Sequence, residues 1–517
     1  MHKIENLSSV HPEAEGFAVA QIFTNTNNTI LYIAKDDREI FNIKEKIEWL
    51  LPKTEILIYR SWDQIPYDNV SPSKQIQSER IKTLFNLLNG NKKRIILTSI
   101  NAIIQKTITK NFINENILQV SVNKKINFND LISKLSSLGY ERTSVVRDKT
   151  EFAIRGSIID IFISDHINPI RIDFFGDTIE SIHSFDQITQ KRLIKLNSLE
   201  LCINTSSELI LNQNSTELFR KNFREIFSNY RLSQVYHSFS ENVIPPGGEQ
   251  FIPLFFNQME TIFSYLDKCS VVLSPQFNNL LDLKLENIND FFDARKNLDE
   301  NFFLTPEKLF LSKAEVLIHL KSFDIINLLE YKSENSKDIN INKILNLSSL
   351  KKEIDFKIIK KYLDINKKNK TIIVCCKTLG SLERVKKIFY DNLQIKLNLI
   401  DNFDLILSNE YLYVTKLDIT ESLELDKYIF INEKSLFGYS FSIRDRKKNN
   451  KELFFEEINK LTKGGVLIHS EYGLCRFLDI IKIDINDSLH DCVQLEFADN
   501  QKLFLPVENL NFITKYS

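Results

Sequence analysis

Twelve glycines are spread along this 517-residue chain, and none of them is followed by lysine. A phosphate-binding loop of the form GxxxxGK[ST] needs glycine for close backbone approach and lysine for the terminal phosphates. The chain has no such loop. The strand–helix turn where an α/β fold would open a nucleotide site falls near Glu15-Gly16-Phe17, which offers no cradle. No Asp-Glu pair follows an apolar strand in a way that would hold a metal, since Asp299-Glu300 lies in a polar segment. The eight histidines are dispersed, and His469, between an apolar strand and Glu471, reads as a structural hydrogen-bonding group. Six cysteines, at 202, 269, 375, 376, 475 and 492, have no metal-ligand spacing. Cys375 and Cys376 are neighbours on a strand and point to opposite faces. These features predict reduced, buried thiols in a cytoplasmic protein, and a chain that is not an enzyme and carries no cofactor.

One short segment has the chemistry of recognition. In Ile170-Arg171-Ile172-Asp173-Phe174-Phe175 the period of two puts Ile170, Ile172 and Phe174 on one face. Arg171, Asp173 and Phe175 share the other, and Arg155 on the preceding strand could add a second cation. Arginine beside an aromatic on an exposed sheet is the composition of a binding hot spot. The competing reading is a solvated Arg171–Asp173 pair with Phe175 tucked under the following turn. Composition alone leaves the two open.

The elements that must position these residues are read from periodicity. Thr29–Ala34, Glu55–Tyr59 and Arg94–Thr98 are short apolar runs alternating with helical segments, among them Lys74–Leu88. That alternation predicts a parallel sheet in an α/β module; if it is a P-loop-like fold, it has lost its loop. The loop Ser61–Pro72 between two of the strands is rich in aromatic and turn residues. From 118 to 205 the texture changes to an inserted α+β domain. It has a helix at Phe128–Leu138, capped by Asn129 or Asp130, and strands at Glu151–Phe162, Pro169–Phe175 and Thr178–Phe185. The α/β module, 1–117, resumes at 206–330. A polar linker at 331–343 precedes a small α/β domain at 344–443. A second linker, 444–458, contains the charged run Arg444–Lys451, and 459–517 reads as a small β-barrel of SH3/Tudor-like type. There, Val493–Phe497 alternates, Ala498-Asp499-Asn500 turns, and Lys502–Val507 returns. The whole is α/β and multidomain. Its 43% hydrophobic and 26% charged residues are those of a soluble globular chain, and the net charge of −1 gives no global attraction to DNA or anionic membrane. No apolar run is long enough to span a bilayer, and no signal sequence opens the chain.

The segments Phe152–Phe162 and Arg171–Ile182 resemble the bacterial transcription-repair coupling factor family and, more distantly, excinuclease B (UvrB). Trp62-Asp63-Gln64-Ile65-Pro66-Tyr67-Asp68 with Ser71-Pro72 is similar to the family's UvrB-like module. Ile468–Gly473 with Ala498–Val507 resembles its RNA-polymerase-interacting domain. The resemblance runs in order along nearly the whole chain and is weak by sequence over Ile344–Ser442.

The resemblance implies roles. The insertion would recruit the damage sensor excinuclease A (UvrA) through Arg155, Arg171 and Phe175, with Asp173 beside them, which favours the interface reading of that strand. The barrel would grip the β subunit of RNA polymerase through an edge strand around Val493 and Leu495. DNA would be reached indirectly or weakly. In the family the barrel leads into motor domains that use ATP and Mg, then a domain that masks the insertion. The chain is therefore expected to be the front portion of such a protein, an adaptor without the translocase. The alternatives are a UvrB-like helicase and a polymerase-binding regulator with no role in repair.

Overall fold

A computed structural model describes residues 3–90, 92–163, 166–196, 201–296, 302–344, 356–407, 410–438, 464–469, 473–485, 488–497, 501–506 and 513–515. The expected linker run Arg444–Lys451, the turn Ala498–Asn500 and the pair Asp299-Glu300 lie outside these residues, as do the side chains of Cys202 and His469. The chain divides into two compact units, Met1–Gly438 and Tyr439–Ser517.

The first unit opens with four strands: β1 (Ile4–Ser8), β2 (Thr29–Ala34), β3 (Ile56–Tyr59) and β4 (Ile95–Ser99). They alternate with α1 (Glu15–Asn25), α2 (Asp37–Leu50) and α3 (Lys74–Leu88), and α4 (Ile100–Ile104) follows β4 directly. The Asp36 carboxylate and Ser73 hydroxyl cap α2 and α3 by accepting from backbone N–H groups of the first turn. The chain then leaves through β5 (Ile117–Val120), builds the insertion with β6 (Glu141–Arg142), β7 (Glu151–Arg155), β8 (Ile158–Ile161), β9 (Ile170–Phe175), β10 (Thr178–Phe185) and β11 (Arg192–Lys195), and returns through β12 (Leu201–Asn204). β5 and β12 pair antiparallel, so incoming and outgoing chain form one neck. After the neck come β13 (Cys269–Leu273), β14 (Asp324–Leu328) and β15 (Lys337–Asp338). The first sheet has the order β15-β1-β14-β13-β2-β4-β3 and every pair is parallel. Its middle strands, β14 and β13, thus come from beyond the insertion.

The neck is fastened by a buried carboxylate. Glu208, just past β12, accepts from Arg80 Nε of α3 at 2.6 Å and from Trp62 Nε1 at 2.7 Å. Its own N–H donates to Gln77 Oε1 at 3.1 Å. Arg80 also stacks over the Tyr59 ring, 4.4 Å from its centroid.

In the insertion the six strands run β11-β10-β9-β8-β7-β6. The single strand expected over Glu151–Phe162 is a hairpin, because Gly156 takes a left-handed conformation (φ +60°) and turns the chain. The helix Phe128–Ser137 is capped by Asn127, earlier than expected, since its Oδ1 accepts from Asn129 and Asp130 N–H. This helix lays Leu131 and Leu135 on Ile159, Ile161, Ile170, Ile172 and Phe174, closing one face of the sheet. The Arg171 face is opposite.

Residues 331–343 are more than the expected linker. β15 extends the first sheet beside β1, and β16 (Ile341–Lys343) joins a second one. Buried Ile339 and Ile341 anchor this polar stretch, and sheet edges satisfy its backbone groups. The second sheet continues with β17 (Thr371–Cys376), β18 (Asn398–Leu399), β19 (Leu412–Lys416), β20 (Leu423–Leu425) and β21 (Tyr428–Asn432), in the order β16-β20-β21-β17-β19-β18. The two α/β sheets share one core, in which Phe17, Trp49 and Ile30 belong to the same cluster as Ile373, Tyr413 and Phe430. Trp49 Nε1 donates to Thr415 Oγ1 at 2.8 Å, and Glu13 takes Thr420 N–H at 3.0 Å while pairing with buried Lys46.

The terminal unit is a five-stranded antiparallel sheet. Its strands are β22 (Val466–His469), β23 (Gly473–Ile485), β24 (Ser488–Glu496), β25 (Lys502–Pro506) and β26 (Ile513–Lys515), in the order β25-β24-β23-β22-β26. Leu467, Cys475, Phe477, Val493, Leu495 and Leu505 form its core.

Candidate functional site

Two surfaces carry the residues singled out by sequence. On the insertion, the register places Asp160, Arg171 and His183 in one row across β8, β9 and β10. Arg171 forks onto Asp160, with Nε to Oδ1 at 2.7 Å and Nη2 to Oδ2 at 2.9 Å. Its guanidinium also lies over the Phe185 ring, 4.7 Å from the centroid. The hydrogen bond to Asp160 raises the Arg171 pKa above its ordinary value. Arg155 Nε stands 4.0 Å from the same carboxylate, and its Nη2 reaches Gln190 Oε1 at 3.4 Å. One fully buried carboxylate thus orients two guanidiniums.

Asp173 is buried and engaged elsewhere. It accepts from Ser181 Oγ at 2.6 Å and Arg192 Nη2 at 2.8 Å, with His183 Nδ1 at 3.5 Å. Desolvation, helped by Arg192, lowers the His183 pKa. The solvated Arg171–Asp173 pair is therefore not the arrangement adopted. Phe175 does not tuck under the turn either: it is 81% exposed at the hairpin tip, before Gly176 (φ +59°). The face presents an exposed phenyl with Arg155 and Arg192 as its open cations, while Arg171 is largely covered beneath them.

Asp160, Ser181, His183 and Arg192 escaped the sequence reading. For Asp160 a signal existed. A two-residue turn at Gly156-Ser157 sets Ala153 opposite Asp160, and alternation then carries Asp160 onto the Arg171 face.

On the terminal sheet the expected position of Val493 and Leu495 is corrected. β24 is paired on both sides, by β23 and β25, so it is not an edge strand. Both side chains have 0% exposure. The two alternating residues read as contacts are the inward ones. The outward face carries Val466, Leu474 and Phe504, and the strand that ends the sheet on this side is β25.

At the N-terminal turn of α1, the carboxyls of Glu13 and Glu15 are both buried, and Glu15 accepts from Tyr32 Oη. Burial, reinforced by the nearby Glu39 charge, pushes the Glu15 carboxyl up to about 8. Five cysteines are buried free thiols among the described residues, and desolvation pushes Cys269 up to about 12. Among the described residues there is no group of three or more His, Cys, Asp or Glu that could hold a metal, and no helix is long and apolar enough to cross a membrane.

Comparison with known proteins gives each surface a class. The family model described as the UvrB interaction domain matches residues 118–206, and that described as the CarD-like/TRCF RID domain matches 461–517. The chain thus joins a repair-type interaction module to one of a type found in transcription-repair proteins. Along its length it is similar to transcription-repair-coupling factors. It is 27% identical to that of Rickettsia bellii over 97% of this chain and 44% of the relative. It is 27% identical to that of Haemophilus influenzae over 100% and 45%, and 23% identical to that of Escherichia coli over 96% and 44%. The chain spans less than half the length of these curated relatives.

Proposed function

We propose that the chain couples transcription to DNA repair as an adaptor, holding RNA polymerase with the terminal sheet and UvrA with the insertion. The observation that carries this reading is the Phe175 face: an exposed aromatic at the hairpin tip of the sheet face that also carries Arg155 and Arg171, whose guanidiniums are oriented by buried Asp160. A rigid cation–aromatic patch loses little side-chain freedom on binding. In this reading Arg155, Arg171 and Phe175 touch the partner and Asp173 holds Arg192 in place. The β subunit of polymerase is taken at the outward face of the terminal sheet, Phe504 included, with Val493 and Leu495 supporting it from inside.

The division follows the same lines: an α/β module at 1–117 and 206–330, the partner-binding insertion at 118–205, a small α/β domain at 344–443, and the polymerase module at 459–517. The α/β module acts as a scaffold and takes no nucleoside triphosphate at the head of α1, where two buried carboxyls would repel the phosphates. Duplex DNA is reached through the partners. The test is calorimetric titration of the chain with UvrA, wild type against Phe175→Ala and Arg155→Ala. Loss of roughly tenfold or more in affinity in each variant supports the reading. Equal binding by all three removes it. Retained polymerase binding without any affinity for UvrA would favour a polymerase regulator, and DNA-stimulated ATP hydrolysis by the pure chain would favour a helicase.

A further inference from the structure

The aromatic loop Ser61–Pro72 has no part in either partner surface, yet it walls a cavity of its own. That cavity of 140 Å³ opens at the carboxyl ends of β3 and β4, where Ser61 and Trp62 follow the first strand and Asn101, Ile104 and Gln105 follow the second. Carboxyl ends of parallel strands are where open α/β sheets place their ligands. Lys284, Asn287, Ile288 and Phe291, spaced three and four apart, line it from one face of the helix Phe277–Lys296. Gln250 enters from the 3-10 segment Gly248–Phe255.

The walls are fixed before any ligand arrives. Trp62 is tied to Glu208 through its indole N–H. Tyr67 holds a left-handed backbone conformation (φ +67°), uncommon for an aromatic residue, and its carbonyl accepts from Arg295 Nε at 2.7 Å. Its ring rests on Phe292 at 5.3 Å between centroids.

Against these fixed rings stand polar atoms with nothing to bond. Gln64 Oε1, Gln250 Oε1 and Tyr67 Oη are buried and have no hydrogen-bond partner, although Gln250 and Tyr67 are more than nine-tenths buried. The lining holds no carboxylate, which argues against a cation, and Lys284 is its cation among the described residues, which argues against a polyphosphate. An apolar cavity of about 150 Å³ takes up one benzene. This one has that scale, aromatic walls, and carboxamides that offer a donor and an acceptor side by side. Such amides pair bidentately with the N6/N7 edge of adenine.

We infer that the cavity between the Trp62–Tyr67 loop and the helix Phe277–Lys296 binds a single nucleobase of adenine type, either as a free compound or as an unpaired base of a single strand. The exposed edges of Trp62 and Tyr67 bound the base, Gln64 and Gln250 read its edge, and Lys284 stands at the wall for a backbone phosphate.

The test is titration of the full chain with adenine, with adenosine, with a single-stranded oligoadenylate and with a blunt duplex, read by tryptophan fluorescence. Trp62 lines the cavity and Trp49, the other tryptophan, sits in the shared core. Saturable quenching by adenine alone, by adenine and adenosine, or by the single strand but not the duplex supports the site, and the pattern tells which source it takes. Gln250→Leu and Gln64→Leu should each weaken binding by about tenfold or more with the melting temperature kept. On the unaltered protein, indole has the fused rings without the paired edge and should bind more weakly than adenine. Indole binding as tight as adenine, no saturable binding of any probe except the duplex, or full affinity in both glutamine variants overturns the inference.

Discussion

Asp160 lies buried between two guanidiniums, 2.7 Å from Arg171 Nε and 4.0 Å from Arg155 Nε, and this geometry separates the effects of two substitutions. Arg171→Ala strips the closer partner from a buried charge, a change that typically costs about 3–5 kcal/mol, at the lower end here because Arg155 remains. Phe175→Ala removes a ring already in solvent and should leave the melting temperature within about 1 °C while lowering affinity for UvrA. Thermal melts beside binding isotherms check both; a Phe175→Ala protein that melts much lower would mean that the ring is structural. Glu15 gives a second residue-level expectation. Its folded carboxyl titrates near 8 and its unfolded one near 4.5, so the folded state holds the proton more tightly. Stability is then intact below the unfolded pKa and falls as pH rises through the folded one. Glu15→Gln should gain stability over the wild type, on the order of a few kcal/mol at most, at about pH 9 and not at about pH 4. Melting curves at the two pH values that show the same difference would contradict this. At this scale the alternation of Ile170–Phe175 was readable, because it is local. The partner of Arg171 was not, because it depends on the register between β8 and β9.

Strand order decides what the alternating residues of the terminal sheet can do. Val493 and Leu495 announce a half-buried strand in any reading of the sequence, but periodicity cannot say whether that strand ends a sheet. Being inside β23-β24-β25, they make core contacts. Leu495→Ala should therefore destabilise the terminal sheet by about 2–5 kcal/mol. Phe504→Ala, on the outward face of β25, should leave it folded and weaken polymerase binding. Circular dichroism melts of the two variants, followed by polymerase binding at a temperature where both are folded, distinguish them; unchanged polymerase binding by Phe504→Ala removes that residue from the contact. Other elements show the same limit. The helix Lys74–Leu88 was legible from its period, a local signal, and the structure adds Ser73 as its cap. The stretch 331–343 read as linker because its polar residues hide β15 and β16, which exist only through pairing with β1 and β20.

Across the first unit, the two α/β sheets are joined through a common core, with Trp49 edge-on to Phe430 at 5.7 Å and hydrogen-bonded to Thr415. Residues Met1–Gly438 should unfold in one cooperative transition, and Trp49→Ala should lower its stability by about 3–5 kcal/mol. Calorimetry in which the two α/β sheets melt in separate transitions would refute the shared core. Nothing in the sequence of Ile344–Ser442 foretold this union, because the contacts span more than three hundred residues. The central claim is that the chain, built on this scaffold, physically links a polymerase to a repair protein. The most direct measurement is recruitment of UvrA to immobilised RNA polymerase, with and without the full chain. UvrA should be retained when the chain is added, and lost again when the chain carries Phe175→Ala. Retention that does not depend on the chain, no retention at all, or full retention by Phe175→Ala would contradict that claim.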